Sequence, residues 1–312
     1  MASLLADPRL APAAAAAASL GLYLAPWAVP FLGTVASLGA PVPLVALYRR
    51  HGLRAGRLGL AFGLGGAAVA FFMLGGGGAL FYLFYAALAT ALGEGPYWGL
   101  RDSQALGAAC VAGVVTVLAV GLLAGALAGD LGQAWQAYWQ AETRAALEIY
   151  RDSGATPEQM EAIRRTLAQA GTLLAKMGSG ILVTGALLVA WVDLMVVRAL
   201  RPGGAEPEPL TEWRAPERLV WVLIAAGALM ALTSGFWFWA GANAVLVLTV
   251  IYFFQGCAVL AFWLRKKNAP RPLRGLIYVL VAVEVFLAVI VALAGLFDMW
   301  FNFRRMGQKP QA

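Results

Sequence analysis

Residues 219–264 read LVWVLIAAGALMALTSGFWFWAGANAVLVLTVIYFFQGCAVLAFWL, 46 consecutive positions without an Asp, Glu, Lys, Arg or His. A soluble helix of that length needs a polar face, and this stretch offers none. It is long enough for two crossings of a hydrocarbon layer at about 20 residues each, which we read as about Leu219–Ala240 and Ala244–Leu264. The rest of the chain follows suit. Its 312 residues are 61% hydrophobic and 12% charged, with a mean hydropathy of +0.75, whereas soluble domains are roughly one-quarter charged. The fold class is therefore an all-α integral membrane protein, a bundle of about eight or nine transmembrane helices into which an amphipathic helical hairpin is inserted.

Further apolar runs cover about Ala11–Val29, Phe31–Tyr48, Leu58–Leu92, Ala105–Ala128, Ile181–Val197 and Gly275–Met299. Leu58–Leu92 is too long for one ordinary span, and the tetraglycine Gly75–Gly78 sits where two shorter ones would divide. No Lys-Ser or Lys-Thr follows that tetraglycine, so it is not a phosphate cradle. Residues 130–178 form the one long amphipathic stretch. Thr156-Pro157-Glu158-Gln159 reads as an N-cap, a proline in the first turn and a glutamine that reaches back. Behind it Met160, Ile163, Leu167, Ala170 and Leu174 recur at helical spacing as one apolar stripe. The Pro-, Glu- and Arg-rich segment 201–218 reads as a polar linker. It divides an amino-terminal unit of about six spans (1–200) from a carboxy-terminal unit of about three (219–312).

The net charge of +7 is not a nucleic-acid footprint, because the cations lie in short loops beside apolar runs. There they meet the lipid bilayer and the anionic headgroups of its surface. Cys110 and Cys257 lie inside apolar runs, and His51 is the only histidine. Neither a metal set nor a histidine-based nucleophile can be assembled from them, and no dinucleotide or catalytic fingerprint is present. The sequence therefore calls for no cofactor and no enzyme activity.

An ionisable residue in mid-span is costly, by about 2.5–3.5 kcal/mol even on a lenient scale, and so marks a candidate site. Glu284 lies near the middle of Gly275–Met299. On a continuous helix it shares a stripe with Ala288, Val291, Gly295 and Asp298, extended by Asn302 and Arg305. The same stripe also suits plain helix-to-helix glue. Asp193 stands within about two turns of a helix end, where an interfacial pair with Arg198 or with a basic loop would account for it. Asn243 and Gln255 are further amides available as pathway groups or as glue. Arg304 and Arg305, with Trp237 and Trp239 of the Phe236–Trp239 cluster, read as structural or interfacial groups.

The carboxy-terminal signature from Gly295 to Arg305 (GLFDMWFNFRR), with Tyr252-Phe253-Phe254-Gln255-Gly256 before it, resembles the YybS-like family of uncharacterised bacterial membrane proteins. That resemblance implies a multi-pass protein of the bacterial cytoplasmic membrane. It also implies a distant similarity to the substrate-binding components of energy-coupling-factor transporters, whose six-helix unit matches six spans ahead of residue 201. Two functional classes stay open. One is small-molecule transport or solute binding, with Glu284, Asp298 and Asn302 lining a polar interior. The other is a scaffold that recruits a protein partner through the hairpin and the basic loops.

With two spans in Leu58–Leu92, one face of the membrane holds 15 of the 23 Lys and Arg residues, which makes that face cytoplasmic. The hairpin then lies outside. In a background lacking Cys110 and Cys257, a cysteine at Gly154 should react with an impermeant thiol reagent in intact cells, and one at Lys266 should not. The reverse pattern would overturn this orientation.

Overall fold

The computed structural model describes residues 7, 9–74, 78–200, 211 and 213–304. Among these the chain is helical throughout, without strands. By contact it divides into two compact units, Met1–Lys176 with Gly185–Pro202, and Met177–Thr184 with Gly203–Ala312.

The first unit opens with α1 (Ala11–Ala28), α2 (Pro30–Ser37), α3 (Val42–Leu74) and α4 (Gly78–Glu94). A 3-10 turn, Gly95–Trp98, leads to α5 (Asp102–Ala128) and α6 (Leu131–Asp152). α1 packs on α2 and α3, α3 on α4, and α4 on α5, which meets α6. The run Leu58–Leu92 does part into two helices at the tetraglycine, of which Gly75–Gly77 lie outside the described residues. The basic stretch Arg49–Arg57 is not the loop its composition implies. Both sides of it are helical, joined at Gly52, whose φ of 86° and ψ of 178° only glycine adopts without strain.

The hairpin forms as its signals require. Asp130 caps α6 by accepting hydrogen bonds from the Gly132 and Gln133 amides, at 2.7 and 3.3 Å. Thr156 and Gln159 make the reciprocal capping box at the start of α7 (Pro157–Ala199). Met160, Ile163, Leu167, Ala170 and Leu174 are all half-buried, while Glu161, Arg164 and Arg165 beside them are exposed. The indole of Trp139 lies where a Cβ on Gly171 would stand, so α6 and α7 meet closely there. The sequence reading separated this hairpin from the span Ile181–Val197. The structure instead runs one helix of 43 residues through both, about 65 Å at 1.5 Å per residue.

The second unit holds α8 (Leu219–Leu232), α9 (Phe236–Lys266), α10 (Arg271–Val283) and α11 (Val285–Phe301). α9 is its centre, packed on α8 and on α11. The break between α8 and α9 falls at Thr233–Gly235, earlier than the expected 241–243, because Gly235 takes a φ of 63°. Asn243 stays helical, its amide bonded to the Trp239 carbonyl one turn back (2.7 Å). α9 and α11 cross backbone to backbone. A Cβ at Gly256 would run into the Val291 carbonyl, and one at Gly295 into the Tyr252 carbonyl.

Among the described residues, four helical stretches are long and apolar enough to cross a membrane: Leu32–Met73, Asp102–Ala126, Pro157–Ala199 and Phe236–Lys266. A fifth is present if the pair Pro272–Val283 and Val285–Phe301, bent by 102°, counts as one span. That is fewer than the eight or nine expected. Two runs read as separate are fused within the 42 residues of Leu32–Met73, and α4 and α8, at 17 and 14 residues, are short for a span. Large apolar side chains such as Phe72, Leu122 and Trp221 face outward at 83, 65 and 71% exposure, as they do on a surface met by lipid tails.

The α9–α11 crossing gives a direct test. Gly295→Ala should separate the two helices and lower the thermal stability of the detergent-solubilised protein, by on the order of 3 kcal/mol. Gly227→Ala, whose Cβ would meet nothing within 4 Å, should unfold at the wild-type temperature.

Candidate functional site

Among the described residues, the buried acids lie in three places, two of them in the first unit. At the end of α4, the Arg57 guanidinium grips Glu94 with both its Nε and Nη2, each at 2.9 Å, and the Tyr48 hydroxyl donates to the same carboxylate at 3.3 Å. The Tyr97 hydroxyl donates to the Tyr48 carbonyl at 2.9 Å. Close by in sequence, Asp102 at the start of α5 takes Arg198 from the end of α7, with Nε at 2.8 Å and Nη2 on the same oxygen. Arg49 adds a longer contact of 3.5 Å to Asp102 and donates to the Leu92 carbonyl at 2.9 Å. Sequence reasoning singled out neither carboxylate, because each stands at a helix end where a charge is cheap. Their side chains are nonetheless buried.

The second place is the interior around α1, α2 and α4. Ser19 and Tyr82, both wholly buried, share a hydrogen bond of 2.9 Å. The Tyr23 ring meets the edges of Tyr82 and Tyr85, with centroids 5.3 and 5.8 Å apart. Tyr85 is in electrostatic reach of two groups, the Ser37 hydroxyl and the Asp193 carboxylate of α7. Asp193 is 0% exposed, and neither of its oxygens has a hydrogen-bond partner. The expected pair with Arg198 does not form. Five residues along a helix turn the side chain through about 140°, and Arg198 is held by Asp102.

The third place, in the second unit, collects much of the candidate carboxy-terminal set. Asp298, 1% exposed, accepts on Oδ2 from Arg304 Nη2 (2.8 Å) and Nε (3.2 Å) and from Gln255 Nε2 (3.3 Å). Gln255 in turn accepts from the Ala215 amide (3.1 Å), and Arg304 donates to the Thr211 carbonyl (2.7 Å). Asn302, left-handed at φ 45°, closes α11 and accepts from Arg214 at 2.9 Å. These bonds tie the chain after α11 and the segment before α8 to the α9–α11 crossing. Arg305 lies outside the described residues.

Glu284 is not among them. It sits at the break between α10 and α11, extended at φ −91° and ψ 107°, and it is exposed. The stripe joining it to Asp298 assumed one continuous helix, and the 102° bend removes that premise. Asn243 is also elsewhere, accepting from the Gly180 amide (2.6 Å) and the Ser179 hydroxyl (3.1 Å). Trp237 is exposed and Trp239 half-buried at the start of α9. Among the described residues no three His, Cys, Asp or Glu side chains gather as metal ligands.

Long apolar helices with outward apolar side chains define an all-α integral membrane protein. The chain belongs to the family described as predicted membrane protein (DUF2232), whose model matches residues 16–299. Neither a curated protein nor a solved structure matches it.

The Asp298 cluster behaves as a fastener, which a double substitution tests. Arg304→Gln alone leaves a buried carboxylate without its cation and should cost on the order of 3 kcal/mol. Adding Asp298→Asn removes that charge and should restore part of the loss, read as recovery of the thermal midpoint in detergent.

Proposed function

We propose that the protein is a small-molecule transporter or solute-binding protein of the bacterial cytoplasmic membrane, working through the interior of its first unit rather than through the carboxy-terminal helices. The observation that carries this reading is Asp193, a buried carboxylate in a candidate span with no partner on either oxygen. Such a group is expensive to keep. Asp298 supports the reading by contrast, since its contacts already explain it as an internal fastener.

The resemblance to the YybS-like family, and more distantly to substrate-binding components of energy-coupling-factor transporters, supports the bacterial location and the transport class. Within this reading α1 and α4 also cross, since 18 and 17 residues reach about 27 and 26 Å. With α8 and the bent pair they bring the crossings to about eight. The basic residues at the helix ends contact anionic headgroups. The scaffold reading is favoured by one feature, the exposed and charged α6–α7 hairpin, which a transporter does not require.

Water access separates the two. In a background lacking Cys110 and Cys257, Asp193→Cys should be modified by a small water-soluble thiol reagent in membranes. Complete protection, with a cysteine at Gly154 reacting as control, would refute the transport reading and leave a packed bundle.

A further inference from the structure

The buried acids of the described residues divide by partner. Glu94 lies against Arg57, Asp102 against Arg198 and Asp298 against Arg304. Asp193 alone among Glu94, Asp102, Asp193 and Asp298 lacks an arginine within ion-pair distance. Tyr85 on α4 interacts with Asp193, Ser37 on α2 interacts with Tyr85, and Tyr23 on α1 packs against Tyr85 by its ring. The nearest cation along its own helix, Arg198, and Arg49 on α3 are both directed to Asp102.

An ionised carboxylate in such a place is shut off from bulk water and has no arginine at ion-pair distance, and a buried charge in that position is neutralised rather than tolerated. Two classes of cation could do this. A metal cation needs several oxygens converging at coordination distance; neither Asp193 oxygen has a hydrogen-bond partner, and among the described residues no three His, Cys, Asp or Glu side chains gather as ligands. A proton needs one lone pair and no added space. Resting on the water path of the transport reading, we infer that Asp193 is a proton-binding site, loaded at neutral pH and emptied when water reaches it. Loading forms an O–H bond on one carboxylate oxygen as a hydronium ion gives up its proton and becomes water. Release breaks that bond, leaves the electron pair on the carboxylate and returns the proton to water.

The test is infrared spectroscopy of the full chain in phosphatidylcholine vesicles, between about pH 5 and about pH 9, with sodium or potassium as the only alkali cation. At neutral pH the wild type should show a protonated-carboxyl C=O stretch that Asp193→Asn removes completely. Its intensity should be equal in the two salts. Asp193→Glu should move the band rather than abolish it, which keeps the test decisive where the Asn variant does not fold. No Asp193-dependent band at neutral pH would overturn the assignment. So would a band that sodium removes and potassium spares, since that identifies an alkali-cation site. The two readings fail separately. A band with an unreactive Asp193→Cys sinks the transport reading and keeps the proton site, whereas a reactive cysteine with no band does the reverse.

Discussion

A carboxylate withdrawn from water must find a cation or give up its charge, and this constraint organises the polar interior of the molecule. Three buried carboxylates take the first course, and each pair joins separate pieces of chain. Arg57 on α3 reaches Glu94 at the end of α4, and Arg198 at the end of α7 reaches Asp102 at the start of α5. Arg304 folds back on Asp298 and also holds the Thr211 carbonyl ahead of α8. Helices in lipid lack the hydrophobic drive that pulls soluble helices together, so directional pairs and close backbone contacts carry more of that task. The glycine contacts of α9 with α11 and the Asp298 cluster occur on the same pair of helices, one holding them near and the other fixing the chain ends to them.

The fold class was legible because composition and run length depend on no tertiary detail. So were the hairpin caps at Thr156 and the stripe from Met160 to Leu174, which rest on local hydrogen bonding and a 3.6-residue period. Helix continuity was not. Gly52 looked like part of a basic loop and is a kink within helix, while residues 178–181 looked like a boundary and lie inside α7. Hydropathy marks which residues meet lipid, and it says little about where the backbone bends. The count of spans inherited that weakness.

Of the polar residues that the sequence singled out, some meet in the structure and others do not. Gln255, Asp298 and Arg304 share hydrogen bonds in the second unit while Asn302 takes Arg214, and the helical-stripe argument that linked Asp298 to Glu284 fails at the break after Val283. The Arg198 pairing went to Asp102, 96 residues away in sequence, instead of Asp193, five away. Spacing along one helix cannot reveal such a competitor, because the choice depends on which face each side chain presents. Glu94 and Asp102 carried no signal at all, since acids next to Gly95, Pro96 and Arg101 read as ordinary helix-end residues.

The absence of a pair at Asp193 therefore says more than the presence of three pairs elsewhere. Replacing a buried ion pair by apolar residues is often neutral for stability, yet a lone buried acid gives no fastening in return for its desolvation. Asp298 and Glu94 can be explained by what they hold together. Asp193 holds nothing that the structure shows, lying about 9 Å along α7 from its end with no hydrogen-bond partner on either oxygen. An apolar residue would pack there at lower cost. On the proton-binding reading proposed above, a side chain that gives no fastening at its own position, where the other buried acids of the described residues are paired, is accounted for by exchange with a mobile charge.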